Sequence, residues 1–230
     1  MKVIQLSETA IVVLYKQAIS PENFSTVKSS FDQIQNKLND YIVDIIISYA
    51  SIHINFNLLK ISGDELCSKI KQILSSSETS ESQKKDVVIQ EIPVYYGSEV
   101  ALDLEFIAKR SGISTQEVID IHSSHIYDVY AIGFAPGFAY LGNVNEKIAC
   151  PRKETPRKRI AKGSLGIADQ QTAIYPSDSP GGWQIVGRTP VSLVDFNSEN
   201  LTPVSPGDKV KFVPVTKEQY LEAGGELECH

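Results

Sequence analysis

Two arginines in this chain stand directly behind prolines, Arg152 after Pro151 and Arg157 after Pro156, in the stretch CPRKETPRKRIAK. Proline fixes its own backbone angle, so both guanidiniums start from a restrained chain. A guanidinium is a planar fork that pairs two-pronged with a carboxylate or a phosphate. A second stretch, YPSDSPGGWQIVGRTP at 175–190, joins rigid turn chemistry to the only tryptophan of the chain, Trp183, and to another arginine, Arg188. Gly181 and Gly182 let the backbone approach another group closely and can turn bare N–H groups toward an anion. Trp183 offers a flat apolar wall with one N–H donor. Rigid turn, bare backbone, aromatic wall and cation are the parts of a small-ligand pocket at a barrel rim. The same residues equally describe a tight barrel corner with Trp183 plugging the core.

Other candidates carry weaker chemistry. His122 follows Val118 by four residues on one helical face and reads either as a core histidine or as a proton carrier. Cys150 lies beside the basic run, which would lower the pKa of an exposed thiol. Ser179 has no GxSxG elbow around it. The phosphate-loop pattern GxxxxGK[ST] does not occur. Four histidines without an HxxxH or HExxH spacing predict no metal site.

Charge narrows the partners. The net charge is −6, which argues against a general nucleic-acid binder. Residues 152–162 carry six positive charges and one negative, so the remainder of the chain sums to −11. A local basic patch on an acidic protein suits a small anion rather than a polyanion track. No apolar run approaches the roughly 20 residues needed to cross a bilayer. The sequence opens without a signal-peptide pattern, and its three widely spaced cysteines lack a CxxC, so a cytoplasmic location is expected.

The elements that must position these residues fall into two blocks. Over 1–80 the pattern predicts ββαββα, a small α/β sandwich. Its first helix starts at Ser20-Pro21 and turns Phe24, Val27, Phe31, Ile34 and Leu38 to one face. Its second follows the capping pattern SGDE at 62–65. Residues 75–86, without an apolar side chain, predict a linker at which proteases should cut first. Over 87–230 a strand, VVIQEIPV, precedes two helices, the second opened by the capping box STQE at 114–117. Residues 131–190 then hold 8 of the 14 glycines and 6 of the 11 prolines. Between them sit short apolar pieces: VYAIGF, GSLGIA, TAIY, WQIVGR and, beyond, VSLVDF and KVKFVPV. That pattern predicts a β-barrel or sandwich, giving an α+β chain.

Five motifs in order, GFAPGFAYL, PRKETPR, GSLGIA, YPSDSPGGWQIVGRTP and PGDKVKF, resemble the family of the 5-oxoprolinase B subunit, also known as allophanate hydrolase subunit 1 or the sporulation kinase A inhibitor family. The resemblance is densest over 122–213. The family's early Gly-Asp is Ser7-Glu8 here, and its Pro-Asp ahead of the first helix of the second block is Leu102-Asp103. The resemblance implies an N-terminal α/β domain and a C-terminal cyclophilin-like β-barrel. It implies a cytosolic complex with two other subunits that opens the lactam of 5-oxoproline to glutamate, driven by ATP, with magnesium at a site shared with a partner. Such chemistry needs cations for the substrate carboxylate and for phosphoryl charge. Arg152 and Arg157, with His122 as a proton carrier, are the catalytic candidates. Gln171, Tyr175, Gly181, Gly182, Trp183 and Arg188 are the substrate-binding candidates. The same resemblance admits a regulator docking on a sensor histidine kinase, or an allophanate- or urea-handling subunit. With no complete catalytic set in view, the isolated chain is expected to be inactive.

Overall fold

The computed structural model describes residues 1–76, 89–198 and 201–227. The chain divides into two compact units, Met1–Val87 and Val88–His230. Residues 77–86 of the expected linker lie outside the described residues.

In the first unit, strands β1 (Lys2–Gln5), β2 (Ala10–Leu14), β3 (Ile42–Ser48) and β4 (Ser51–Phe56) form an antiparallel sheet in the order β1-β2-β4-β3. Alternation in β4 buries Ile52, Ile54 and Phe56 and leaves His53 and Asn55 exposed. The buried row continues through Ile11 and Val13 of β2. Helices α1 (Pro21–Leu38) and α2 (Gly63–Ser75) pack on this sheet through Phe24, Val27, Ile34, Leu66 and Ile70. Both begin where the sequence signals: the Ser20 hydroxyl accepts the Asn23 N–H (3.2 Å), and the Ser62 hydroxyl accepts the Glu65 N–H (3.3 Å).

The second unit is built on a seven-stranded sheet. Its strands are β5 (Ile89–Val94), β6 (Ile126–Ile132), β7 (Ala139–Gly142), β9 (Ser164–Ala168), β10 (Gln171–Ile174), β12 (Gln184–Arg188) and β13 (Lys209–Pro214). They run in the order β12-β9-β10-β7-β6-β13-β5, with only β5 and β13 parallel. The two edges meet. Tyr95, just past β5, and Arg188, at the end of β12, exchange two backbone hydrogen bonds, each 2.8 Å, which brings the sheet nearly full circle into a barrel. Gly187 is what lets the edges come so close: a Cβ there would stand 2.8 Å from Val94 Cγ1 and 2.9 Å from the Tyr95 carbonyl oxygen.

Val94, Val129, Leu141, Leu165, Ile167, Ile174, Val186 and Phe212 fill the main core. It also takes in residues of helices α3 (Leu104–Ser111) and α4 (Thr115–Ser124). The Ser114–Glu117 capping box that opens α4 is reciprocal, as its sequence predicts. A pair of short strands, β8 (Arg157–Ile160) and β11 (Ser179–Gly181), packs over the other face of the sheet. There Phe138, Ala168, Ala173, Tyr175, Trp183 and Ile185 make a second core with Ile160. The last described helix is α5 (Lys217–Glu222).

VSLVDF, expected as a strand, is a loop instead. Its residues satisfy their backbone locally: the Ser192 hydroxyl donates to the Val194 carbonyl (2.9 Å), and the Asp195 carboxylate accepts the Asn197 N–H (2.9 Å). Two of its apolar side chains still turn inward, Leu193 joining the main core and Val191 packing against it, while Phe196 is exposed. The basic run, in contrast, contains a strand, β8, that its charge disguises.

Candidate functional site

The nine candidate residues fall in separate places. Gly181, Gly182, Trp183, Tyr175 and Arg152 gather around the second core. Trp183 is 5% exposed, with the Phe138 ring edge-on to it at 5.7 Å and Tyr140 tilted against it at 6.1 Å. The exposed Arg152 guanidinium lies over the indole, 5.7 Å from the ring. Tyr175 meets the edge of Phe138, and burial pushes its hydroxyl up to about 12, a backbone hydrogen bond at Trp183 opposing the shift. Gly181 is glycine because a Cβ there would sit 2.3 Å from the Tyr175 hydroxyl. Gly182 turns its carbonyl to the Lys153 N–H (2.7 Å).

Packing this close makes Trp183→Phe a stability variant. The smaller ring leaves a cavity against Phe138 and Tyr140, so the melting curve shifts by the equivalent of about 1–3 kcal/mol. Activity per folded molecule in an assembled complex is expected to survive. A kinetic loss at unchanged melting temperature would make the indole a ligand wall instead.

Arg157 is held by Asp103. Its two terminal amino groups donate to the two carboxylate oxygens at 2.7 and 2.8 Å, Lys153 Nζ donates at 3.0 Å, and the Ile185 N–H donates at 2.7 Å. Asp103, 4% exposed, therefore ties the head of α3 to β8 and β12 at once. Burial works to raise its pKa, but the bonds from Arg157, Ile185 and Lys153 outweigh that and hold the carboxyl below its ordinary value. Residue 103 stands out in the sequence only as a motif variant. The signal available there is an acidic residue just ahead of a helix; in the structure its side chain makes no cap hydrogen bond.

His122 is in the main core, 1% exposed and stacked on Phe212 at 5.0 Å. The Thr172 hydroxyl donates to the Gly166 carbonyl (3.0 Å), so toward His122 it is an acceptor for Nε2–H (3.1 Å). Nδ1 is then left to accept the Tyr96 hydroxyl (3.0 Å). Burial drives the imidazole pKa down to about 3, fixing it neutral with both nitrogens used. Gln171 begins β10, half-buried, across from Gly142 and Ala168.

Arg188 stands at the far end of β12 from Trp183. Its side chain is in a pocket of about 190 Å³ lined also by Arg159, Lys162, Asp178, Tyr220 and the turn 224–226. Arg188 is 3% exposed, and Nη1 donates to the Glu226 carbonyl (2.9 Å). The Tyr220 hydroxyl donates to the same oxygen (2.8 Å) and accepts the Glu226 N–H (3.1 Å). Asp178 accepts Arg159 Nε (2.9 Å) and the Lys162 backbone N–H (2.7 Å), bonds that hold its carboxyl below the ordinary value. Lys162 and Arg159 belong to the basic run, whereas nothing in the sequence near Tyr220 points to this pocket. Among the described residues no group of three or more His, Cys, Asp or Glu is placed to hold a metal ion. No described helix is long and apolar enough to cross a membrane.

A family model described as carboxyltransferase domain, subdomain C and D, matches residues 1–204. The 5-oxoprolinase B subunit of Bacillus subtilis is 36% identical over 231 residues, covering 94% of this chain and 93% of that protein. The protein of the same name in Haemophilus influenzae is 34% identical over 213 residues, covering 93% and 97%. The solved structure of TTHA0988 superposes with a TM-score of 0.78 at 27% identity over 91% of this chain, which spans 40% of that longer one. Urea amidolyase of Saccharomyces cerevisiae is 33% identical over 128 residues, which are 50% of this chain and 7% of that protein.

Proposed function

The chain belongs to the family of the 5-oxoprolinase B subunit, and on that footing we propose that it is one component of an ATP-dependent complex that opens 5-oxoproline to glutamate. The carrying observation is length: the match runs over 93% and 97% of the two 5-oxoprolinase subunits but over only 7% of the urea amidolyase. A match over nearly the whole of two named subunits favours the 5-oxoprolinase reading over the urea amidolyase one.

The geometry supports a contributing subunit. A five-membered lactam is a poor electrophile. Activating it calls for a nucleotide, a positioned water and cations for the substrate and phosphoryl charges. This chain supplies the cations. The Arg188 pocket, at about 190 Å³, does not fit a nucleoside triphosphate, since pockets for ligands even of drug size run to roughly 300–1,000 Å³. We assign ATP and magnesium, as the family resemblance implies, to a site shared with a partner subunit. His122, neutral and saturated with hydrogen bonds, supplies stability to this reading and no proton transfer.

Co-purification with the products of neighbouring genes, followed by ATP hydrolysis with and without 5-oxoproline, tests the proposal. Lactam-stimulated hydrolysis is expected from the complex and none from the isolated chain. Turnover by the chain alone would refute the subunit reading. A complex stimulated by urea or allophanate and indifferent to 5-oxoproline would refute the substrate.

A further inference from the structure

We propose that the pocket around Arg188 is a binding site for a small monocarboxylate, with Lys162 and Arg188 as its cationic wall. For the identity of the ligand this rests on the reading above; for its charge and size it rests on the pocket itself.

Charge comes first. Three cationic side chains, Arg159, Lys162 and Arg188, line the cavity together with two acidic residues, Asp178 and Glu226. Asp178 is already engaged by the Arg159 side chain and the Lys162 N–H, and Arg159 with it. Glu226 presents its main-chain carbonyl to Arg188. Among the described residues the lining thus carries an excess of one positive charge inside a chain of net charge −6. A single carboxylate neutralises that excess. Among the described residues the Lys162 ammonium makes no ion pair, and its side chain is exposed at the mouth. Arg188 lies at depth, where water screens its charge least.

Geometry adds direction. The Glu226 carbonyl oxygen accepts both the Arg188 guanidinium and the Tyr220 hydroxyl, so two donors converge on one point of the wall. An oxygen bearing full negative charge makes shorter and roughly twice stronger hydrogen bonds to such donors than a neutral carbonyl does. Tyr220 is buried and stacked on Tyr95 at 5.4 Å, which fixes the height of its hydroxyl. Ala161, Pro190 and Val191 add an apolar wall to the lining. A compact ring with one carboxylate lays its charge on Arg188 and Lys162 and its methylenes on that wall.

Size sets the upper limit. A volume of about 190 Å³ equals about six waters of liquid, enough for a lactam acid. The ligand is thus the carboxylate end of the substrate or product, held apart from the nucleotide.

The test is calorimetric titration of the isolated full-length chain with 5-oxo-L-proline, with 2-pyrrolidinone (the same ring without the carboxylate) and with inorganic phosphate. The first should bind at least tenfold more tightly than either of the others. Lys162→Ala, at an exposed position where the fold does not depend on the side chain, should weaken 5-oxo-L-proline about five- to tenfold, and Lys162→Arg should restore most of it. Equal affinity for 2-pyrrolidinone, tighter phosphate binding, indifference to Lys162→Ala or no binding at all would each overturn the assignment. In the assembled complex the same variant should raise KM for 5-oxoproline and leave kcat nearly unchanged. A complex that turns over the lactam with unaltered KM in Lys162→Ala would remove the pocket and keep the subunit reading. Carboxylate binding in a complex inert toward 5-oxoproline would keep the pocket and remove that substrate.

Discussion

Lowering the pH from 6.5 to 4 should cost this protein roughly 3 kcal/mol of folding stability through His122 alone. Its imidazole pKa is about 3 in the folded chain against an ordinary 6.5, because burial among Tyr96, Thr172, Tyr127 and Phe212 leaves no solvation for a charge. Between those two values the unfolded chain binds a proton that the folded chain refuses. The contribution is therefore complete above pH 6.5 and drains away as the pH falls toward 3. Asp103 acts in the same direction but later. Its depressed carboxyl keeps its contribution above the ordinary value of 3.8 and loses it as the pH drops below that through the folded pKa. Denaturant titrations at several pH values measure the slope. His122→Asn should flatten it, at a lower stability near pH 7, because it retains one polar partner and cannot titrate. An unchanged acid slope in that variant would place the titrating group elsewhere.

Asp103→Ala should destabilise the protein by about 3 kcal/mol at neutral pH and lower its Tm by roughly 6–12 °C. The substitution removes four hydrogen bonds at one stroke. The Ile185 N–H loses its partner in a buried place, where an unmade hydrogen bond costs about 1–3 kcal/mol. Arg157 and Lys153 are left close together with no charge between them. Their side chains retain 23% and 30% exposure, so both can swing into water, which keeps the loss below that of a fully buried ion pair. Arg157→Ala should cost only about 1–2 kcal/mol, because Asp103 keeps Lys153 and the Ile185 N–H. Thermal melts of the two variants check the order. Equal losses would mean that the arginine, rather than the carboxylate, organises the junction.

Strand and helix positions are legible in the sequence wherever a residue's partner lies nearby. Ser20, Ser62 and Ser114 cap their helices through contacts three residues long, and β4 shows its alternation within six residues. The site is harder to read because its contacts are long-range. Asp103 meets Arg157 across 54 positions, and Arg188 meets Glu226 across 38. Composition alone does not say which acid answers a basic run. β8 escapes notice for a related reason: in RKRI two of the basic side chains are spent on Asp103 and Asp178, so charge density there marks pairing rather than loop. VSLVDF misleads the other way, since hydroxyl and carboxylate groups at 192 and 195 capture the backbone before a sheet can.

The barrel seam separates two kinds of inheritance. Tyr95 and residue 188 join through main-chain groups only, and every L-residue except proline has both of those groups. What the seam demands of the sequence is borne one position earlier, by Gly187, whose missing Cβ leaves room for Val94 and Tyr95. The side chain at 188 is thereby relieved of holding the barrel shut, although it projects from the closing bond into the pocket. If the pocket takes a carboxylate as proposed, descendants of this chain can lose that binding at 188 while the glycine stays put. In this fold the proposed ligand contact and the closure of the barrel answer to neighbouring residues, 188 and 187.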